Sequence, residues 1–220
     1  MPLDLADFDS VRACARSFLA RNLDLHLLVN NAGLAGARGL TKSGFEVAFG
    51  VNHMGHFLLT QLLLDRLRQS APSRIVTVAS RAHARVSAID WEAVRRPGDS
   101  KLGVKPYCVS KLANVLFSAE LSRRLCGHGV STYSLHPGVI ASDLWRGLPR
   151  PLRVLSRLFL TSTEEGAKTT LHCCLSAGAA IETGLYYSAC RAQLPSATAQ
   201  DMSLAKALWQ RSNDWVRQEC

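Results

Sequence analysis

The sequence predicts an α/β protein built on a doubly wound parallel sheet. Short apolar runs recur in which hydrophobic residues do not alternate with polar ones, as in strands buried on both faces. Longer segments of helical periodicity separate these runs, and steady alternation of strand and helix implies right-handed crossovers between parallel strands. The runs also end on residues that turn the chain, Asn30-Asn31-Ala32-Gly33 and Pro137-Gly138 among them.

The elements follow in order. Asp9 or Ser10 can cap a helix that runs to about Asn22, with Val11, Ala15, Phe18 and Leu19 on one face. Leu25-His26-Leu27-Leu28-Val29 reads as a buried strand closed by the Asn-Asn-Ala-Gly turn. A long helix is expected over 43–69 and a β-rich run over 74–79. After a loop containing Pro97 and Gly98, Pro106 opens a third long helix that stops at Gly127 or Gly129. Proline at a start and glycine past an end are in their preferred places. A strand at 130–135 ends in Pro137-Gly138. A basic, leucine-rich stretch over 144–160 precedes a helix at 163–177, a last strand at 184–188 and a closing helix at 201–215.

Composition narrows the class. The 220 residues contain no linker-like stretch and no internal repeat, so one domain spanning 1–220 is expected. At 47% hydrophobic the chain can build a core. The net charge of +9 suits anionic ligands, but the basic residues are scattered and no nucleic-acid-binding pattern occurs, so a nucleic-acid partner is not expected. Seven cysteines at irregular spacing, with no CxxC pair, read as reduced intracellular thiols. Met-Pro-Leu-Asp-Leu has neither the basic start nor the apolar core of a signal peptide. The apolar passage 57–67 holds Thr60, Gln61, Asp65 and Arg66, too polar and too short to span a bilayer.

The chemistry centres on Tyr107-Cys108-Val109-Ser110-Lys111. On a helix, Tyr107 and Lys111 lie one turn apart on one face. A free tyrosine ionises near pH ~10, and a neighbouring ammonium favours the phenolate, which makes the pair a tunable proton donor and acceptor. Ser80 falls just past the carboxyl end of the 74–79 run, where open α/β sheets bind ligands, and can donate a hydrogen bond to a substrate oxygen. The 30–33 turn sits at another such end, with a glycine that permits close backbone approach. Asn52 and Gly55 interrupt a helix that propensity would fill otherwise, so a positional role is expected. His53 and His56 stand three apart on that helix without a third ligand at metal spacing, and no metal site is expected. His136-Pro137-Gly138-Val139 follows a strand and can present backbone groups to a flat ring.

The ordered set NNAG at 30–33, VNHMGHF at 51–57, Ser80, YCVSK at 107–111 and HPG at 136–138 resembles the short-chain dehydrogenase/reductase family. SKLANVLFSAEL after the tyrosine and LHPGV after the next strand resemble most the branch of retinol dehydrogenases that reduce retinal with NADPH. The resemblance covers essentially the whole chain. It implies a Rossmann-like fold and hydride transfer between NADP(H) and an apolar alcohol or carbonyl compound such as a retinoid. It implies Tyr107 as the acid/base, with Lys111 lowering its pKa and meeting the nicotinamide ribose. It implies Ser80 orienting the reacting oxygen and Asn52 holding a water of a proton relay. Cofactor contacts are implied for Asp4, Asn30, Ala32, Gly33, Pro137, Gly138, Val139 and Ser142, besides Tyr107 and Lys111. An intracellular location is implied, in the cytoplasm or at the endoplasmic-reticulum membrane, with 144–160 as a lid that touches the membrane surface or as an ordinary amphipathic segment.

The sequence departs from the family at one place. Relatives begin with a strand, a TGxxxGxG turn and a helix whose N-terminus holds the pyrophosphate; no such turn occurs here. The reading is an N-terminally truncated domain in which the first two strands and their helices are absent. It leaves residues 25–29 as an apolar sheet edge prone to mispairing and predicts weak cofactor affinity. The alternative to an active oxidoreductase is then a spliced or truncated product that keeps the catalytic residues and cannot hold the cofactor.

Overall fold

A computed structural model describes residues 1–98, 102–138 and 163–218. Five strands form one sheet in sequential order: β1 (Leu27–Asn30), β2 (Ser73–Val78), β3 (Val130–His136), β4 (Leu185–Ser188) and β5 (Arg191–Gln193). The first four are parallel, and β5 returns antiparallel along β4. The α/β fold with a parallel sheet is therefore as expected. The β5 hairpin is an addition. It turns through Ala189 and Cys190, both at positive φ (50° and 59°), in the left-handed geometry of a tight two-residue hairpin turn.

The helices divide unequally between the two faces. On one face lie α1 (Phe8–Leu19), α3 (His56–Gln69) and α4 (Val104–Arg124), with α6 (Met202–Gln218) packed on the outer side of α4. The other face carries α5 (Thr163–Leu175), which packs on β2, β3 and β4. The main core lies on the crowded side, where Ile75 of β2, Phe57 of α3, Leu112 and Leu116 of α4 and Trp209 of α6 belong to one buried cluster. The smaller core under α5 joins Val76, Val78, Tyr133, Leu135, Cys173 and Tyr187.

This asymmetry corrects the reading of residues 25–29 as a fully buried strand. Leu27 and Val29 register with Arg74 and Val76 and so share the α5 face. No described helix reaches that side of β1, and both residues remain 37% exposed. Leu28 points the other way and packs on the main core.

Local chemistry sets the helix ends. Asp7, not Asp9 or Ser10, caps α1 by accepting the Asp9 N–H at 3.0 Å. The long second helix starts at α2 (Val47–Phe49), where the Glu46 carboxylate accepts the Phe49 N–H at 2.9 Å. It widens into a π-helical turn over Gly50–Gly55 before continuing as α3. The composite helix Val47–Gln69 is long and apolar enough to cross a membrane, but 78% of its most apolar window is buried inside the protein, as in a core helix.

Candidate active site

The π-helical turn explains Asn52 and its glycines. A Cβ on Gly55 would fall 2.5 Å from the Leu5 carbonyl oxygen, and one on Gly50 would fall 2.5 Å from Thr41 Cγ2. Two close approaches thus fix this stretch, and insertion of an extra residue per turn aims Asn52 at the sheet's carboxyl end. The Asn52 side chain is fully paired there. Its Oδ1 accepts the Leu34 N–H at 2.8 Å, while Nδ2 donates to the Leu34 carbonyl at 3.0 Å and to Ser110 Oγ at 2.9 Å. Ser110 in turn donates to the Tyr107 carbonyl at 2.8 Å. A Cβ on Gly33 would lie 3.0 Å from Asn52 Oδ1 and 3.7 Å from Lys111 Nζ, so the glycine of the Asn-Asn-Ala-Gly turn lets that turn close over both.

On α4, Tyr107 and Lys111 stand one turn apart, with the ammonium 5.6 Å from the centre of the tyrosine ring. Lys111 is buried and donates to the Val78 carbonyl at 2.9 Å, an acceptor it shares with Asn114 Nδ2 at 3.2 Å. Burial lowers its pKa from the ordinary lysine value to about 8. Tyr107 is buried too, and burial raises its pKa, opposed by a hydrogen bond with the Ser80 side chain. Charge alone predicts a lowered tyrosine pKa beside Lys111. In this arrangement burial sets the direction, and Ser80, rather than Lys111, is the group that favours the phenolate.

Ser80 is held from behind. It caps a short 3₁₀ turn (Arg81–Arg85), with Oγ accepting the Ala82 N–H at 3.2 Å, which leaves its hydroxyl hydrogen free to donate. His83 Nδ1 meets the Ser80 carbonyl at 2.7 Å, and His83 Nε2 accepts the Ser196 N–H at 3.1 Å. An acceptor on one side and a donor on the other fix a neutral ring protonated on Nδ1. Burial lowers the His83 pKa, in keeping with that form.

The residues expected at the cofactor are arranged less tightly. Asn30 is buried at the end of β1, its Nδ2 on Thr60 Oγ1 at 3.0 Å and its Oδ1 without a partner among the described residues. Ala32 and Gly33 are exposed on the turn that follows. Pro137 and Gly138 are half-buried beyond β3, and Gly138 has φ 95°, which requires glycine. Asp4 Oδ1 accepts the Ala6 N–H at 2.9 Å. Val139, Ser142 and the 144–160 segment lie outside the described residues. His53 and His56 serve the core and the helix: His53 packs among Phe49, Phe57 and Phe117, and His56 Nδ1 meets the Asn52 carbonyl at 3.1 Å.

Sequence reasoning missed Ser110, Asn114 and His83. The first two stand three and seven residues after Tyr107, on its helical face, so spacing alone could have found them. His83 follows Ser80 by three, a spacing that a short helical turn makes meaningful.

A parallel sheet with a serine, a tyrosine and a buried lysine converging at its carboxyl end defines a dehydrogenase-type α/β fold. Comparison with known proteins agrees. The short chain dehydrogenase family profile matches residues 1–93. Human retinol dehydrogenase 11 is 46% identical over 215 residues, an alignment covering 96% of this chain and 67% of that protein. A solved protein of Mycobacterium paratuberculosis superposes with a TM-score of 0.75 at 32% identity, covering 98% of this chain and 74% of its own. The RhlG/NADP active-site complex of Pseudomonas aeruginosa superposes with a TM-score of 0.64 at 26% identity, covering 84% and 73%. The chain belongs to the short-chain dehydrogenase/reductase family of oxidoreductases and is similar to its retinol dehydrogenases. It spans about two thirds of the length of the retinol dehydrogenase it matches.

Proposed function

We propose that this chain carries the catalytic residues of an NADP(H)-dependent oxidoreductase acting on an apolar alcohol or carbonyl compound of the retinoid type. The observation that carries this reading is the convergence of the Ser80 hydroxyl, the Tyr107 hydroxyl and the Lys111 ammonium at one end of the sheet. Tyr107 exchanges the proton with the substrate oxygen. Ser80 donates to that oxygen and, in the free site, to the phenol itself. Asn52 ties the turn at Leu34 to the tyrosine helix through Ser110.

The residues present fit the nicotinamide side of a dinucleotide. Gly33 leaves a space that a Cβ would fill, Lys111 has donors to spare beyond the Val78 carbonyl, and Asn30 holds an orphaned acceptor at the strand end. Lys111 would hold the ribose, Asn30 the adenosine side and the Pro137-Gly138 turn the carboxamide. When bound, the nicotinamide supplies or accepts the hydride, and the protein contributes orientation and electrostatics. The preference for NADP and for a retinoid rests on the likeness to retinol dehydrogenase 11 and to the RhlG/NADP complex.

A second reading is that these 220 residues alone do not retain a dinucleotide. It is favoured by one observation: no glycine-rich phosphate turn occurs in the sequence. NADPH titration of the 220-residue chain separates the readings, micromolar affinity supporting the first alone.

The acid/base assignment is tested with Tyr107→Phe in the whole protein. Reduction of retinal by NADPH is expected to fall about 100- to 10,000-fold, the usual contribution of a positioned proton donor, while NADPH binding persists. Turnover at the parent rate would overturn it.

A further inference from the structure

One cavity among the described residues lies away from the catalytic cluster. It encloses about 570 Å³ between the 85–98 loop and the N-terminal ends of α2 and α4. Lys105 and Val109 line it, two residues to either side of Tyr107, and therefore on the opposite face of the helix. Its volume is typical of small-molecule sites.

One buried group points to a ligand there. Glu46, 2% exposed, lines the cavity. Its Oε2 accepts the Phe49 N–H at 2.9 Å, and its backbone N–H donates to the Val94 carbonyl at 2.9 Å, so the residue is fixed. Its Oε1 is buried with no hydrogen-bond partner among the described residues. An unpaired buried carboxylate oxygen is costly and rarely kept without use. Gly98 leaves the space in front of it open, for a Cβ on Gly98 would stand 3.7 Å from Oε1.

The surroundings define what fits. Phe49, Val86, Val94 and Val109 make the walls apolar. Three cations, Arg85, Arg96 and Lys105, are matched by Glu46, Asp90 and Glu92, so the lining has no excess charge for an ion. Arg96 is paired with Glu92 at 3.3 Å, and Lys105 and Arg96 act on Asp90 rather than on Glu46. We propose that this cavity is a second binding site, separate from the catalytic cluster, for an uncharged apolar molecule with a terminal hydroxyl that hydrogen-bonds Glu46 Oε1. Burial raises the Glu46 pKa, which shifts the balance toward its protonated form. A hydroxyl donates to the carboxylate and accepts from the acid, and so pairs with either; an ammonium pairs with the carboxylate alone.

The test uses the whole protein, isotopically labelled, titrated with 4-phenylbutan-1-ol and, in parallel, with 4-phenylbutylamine. The alcohol is expected to bind saturably, shift the backbone amides of Phe49, Gly98 and Val109, and bind tighter than the amine. Gly98→Leu fills the space before Oε1 and should weaken the alcohol at least about tenfold, the equivalent of one good hydrogen bond with its packing. Glu46→Gln keeps the helix cap and an amide able to pair, and should hold affinity within about threefold. Glu46→Leu should lose binding, and Gly98→Leu reports independently if that variant fails to fold. Unsaturable binding, equal affinity in Gly98→Leu, or preference for the amine would each overturn the proposal. None of these readouts depends on turnover at Tyr107.

Discussion

Lys111 carries an ammonium group that water scarcely reaches, and the fold bears the cost. Its buried charge has one described acceptor, the Val78 carbonyl, and burial brings its pKa to about 8. At pH 7 the residue is protonated both folded and unfolded, so folding meets a desolvation penalty on the order of 3 kcal/mol. Above pH 8 the folded protein sheds the proton while the unfolded chain holds it to about pH 10.5, so stability rises across that interval. Lys111→Met removes the charge and leaves the Val78 carbonyl paired with Asn114. The variant is expected to melt higher than the parent at pH 7, by roughly 2–4 °C for each kcal/mol recovered, with the gap closing by pH 10. Thermal melts at both pH values check this, and a lower melting temperature at pH 7 would refute it. A residue kept at the expense of stability is kept for its chemistry.

At the scale of elements, the sequence carried the long signals and hid the short ones. Helices α3 and α4 were legible because apolar periodicity and proline or glycine punctuation agree over many residues. Strands β2 and β3 were legible as unbroken apolar runs. The β5 hairpin was not, because Ala189-Cys190 adopts positive φ without glycine or asparagine, and its geometry comes from tertiary pairing with β4. In the site, Tyr107, Lys111 and Ser80 could be placed from spacing and strand ends. His83 could not, because its role depends on Ser196, 113 residues away. Asn52 and Gly55 announced themselves as poor helix formers, and the π-helical turn accounts for both. Gly55→Ala tests that element. The added Cβ would lie 2.5 Å from the Leu5 carbonyl oxygen and 2.8 Å from Leu5 Cβ, backbone and packed side chain with little room to yield. Destabilisation of about 1–3 kcal/mol is expected from overpacking of this kind, read as a lower urea midpoint. An unchanged midpoint would show that the turn is not fixed by this contact.

Across the whole molecule, the two faces of the sheet differ in how much they bury, and the crowded face accounts for the response to acid. Histidines lie inside it where the helices meet. Burial lowers the pKa of His53 to about 3 and of His56 to about 4, and that of His136, at the end of β3, to about 4. All three are neutral in the folded protein at pH 6, whereas each would ionise near pH 6.5 once exposed. Between pH 6.5 and about 4 the unfolded chain therefore takes up protons that the folded chain refuses. Stability is intact above pH 6.5 and declines as the pH falls, approaching about 4 kcal/mol per pH unit once the unfolded chain binds all three. The expected result is cooperative unfolding on moderate acidification, before most carboxylates titrate, followed by circular dichroism at constant ionic strength. His53 contributes through the helices, since its Nε2 meets Ser212 of α6 at 3.2 Å and its ring contacts Phe117 of α4 at 5.9 Å. His53→Phe should hold those aromatic contacts, remove one titrating group and shift the acid midpoint downward. A midpoint that moves up or stays put would mean that the lost Ser212 bond matters more than the proton.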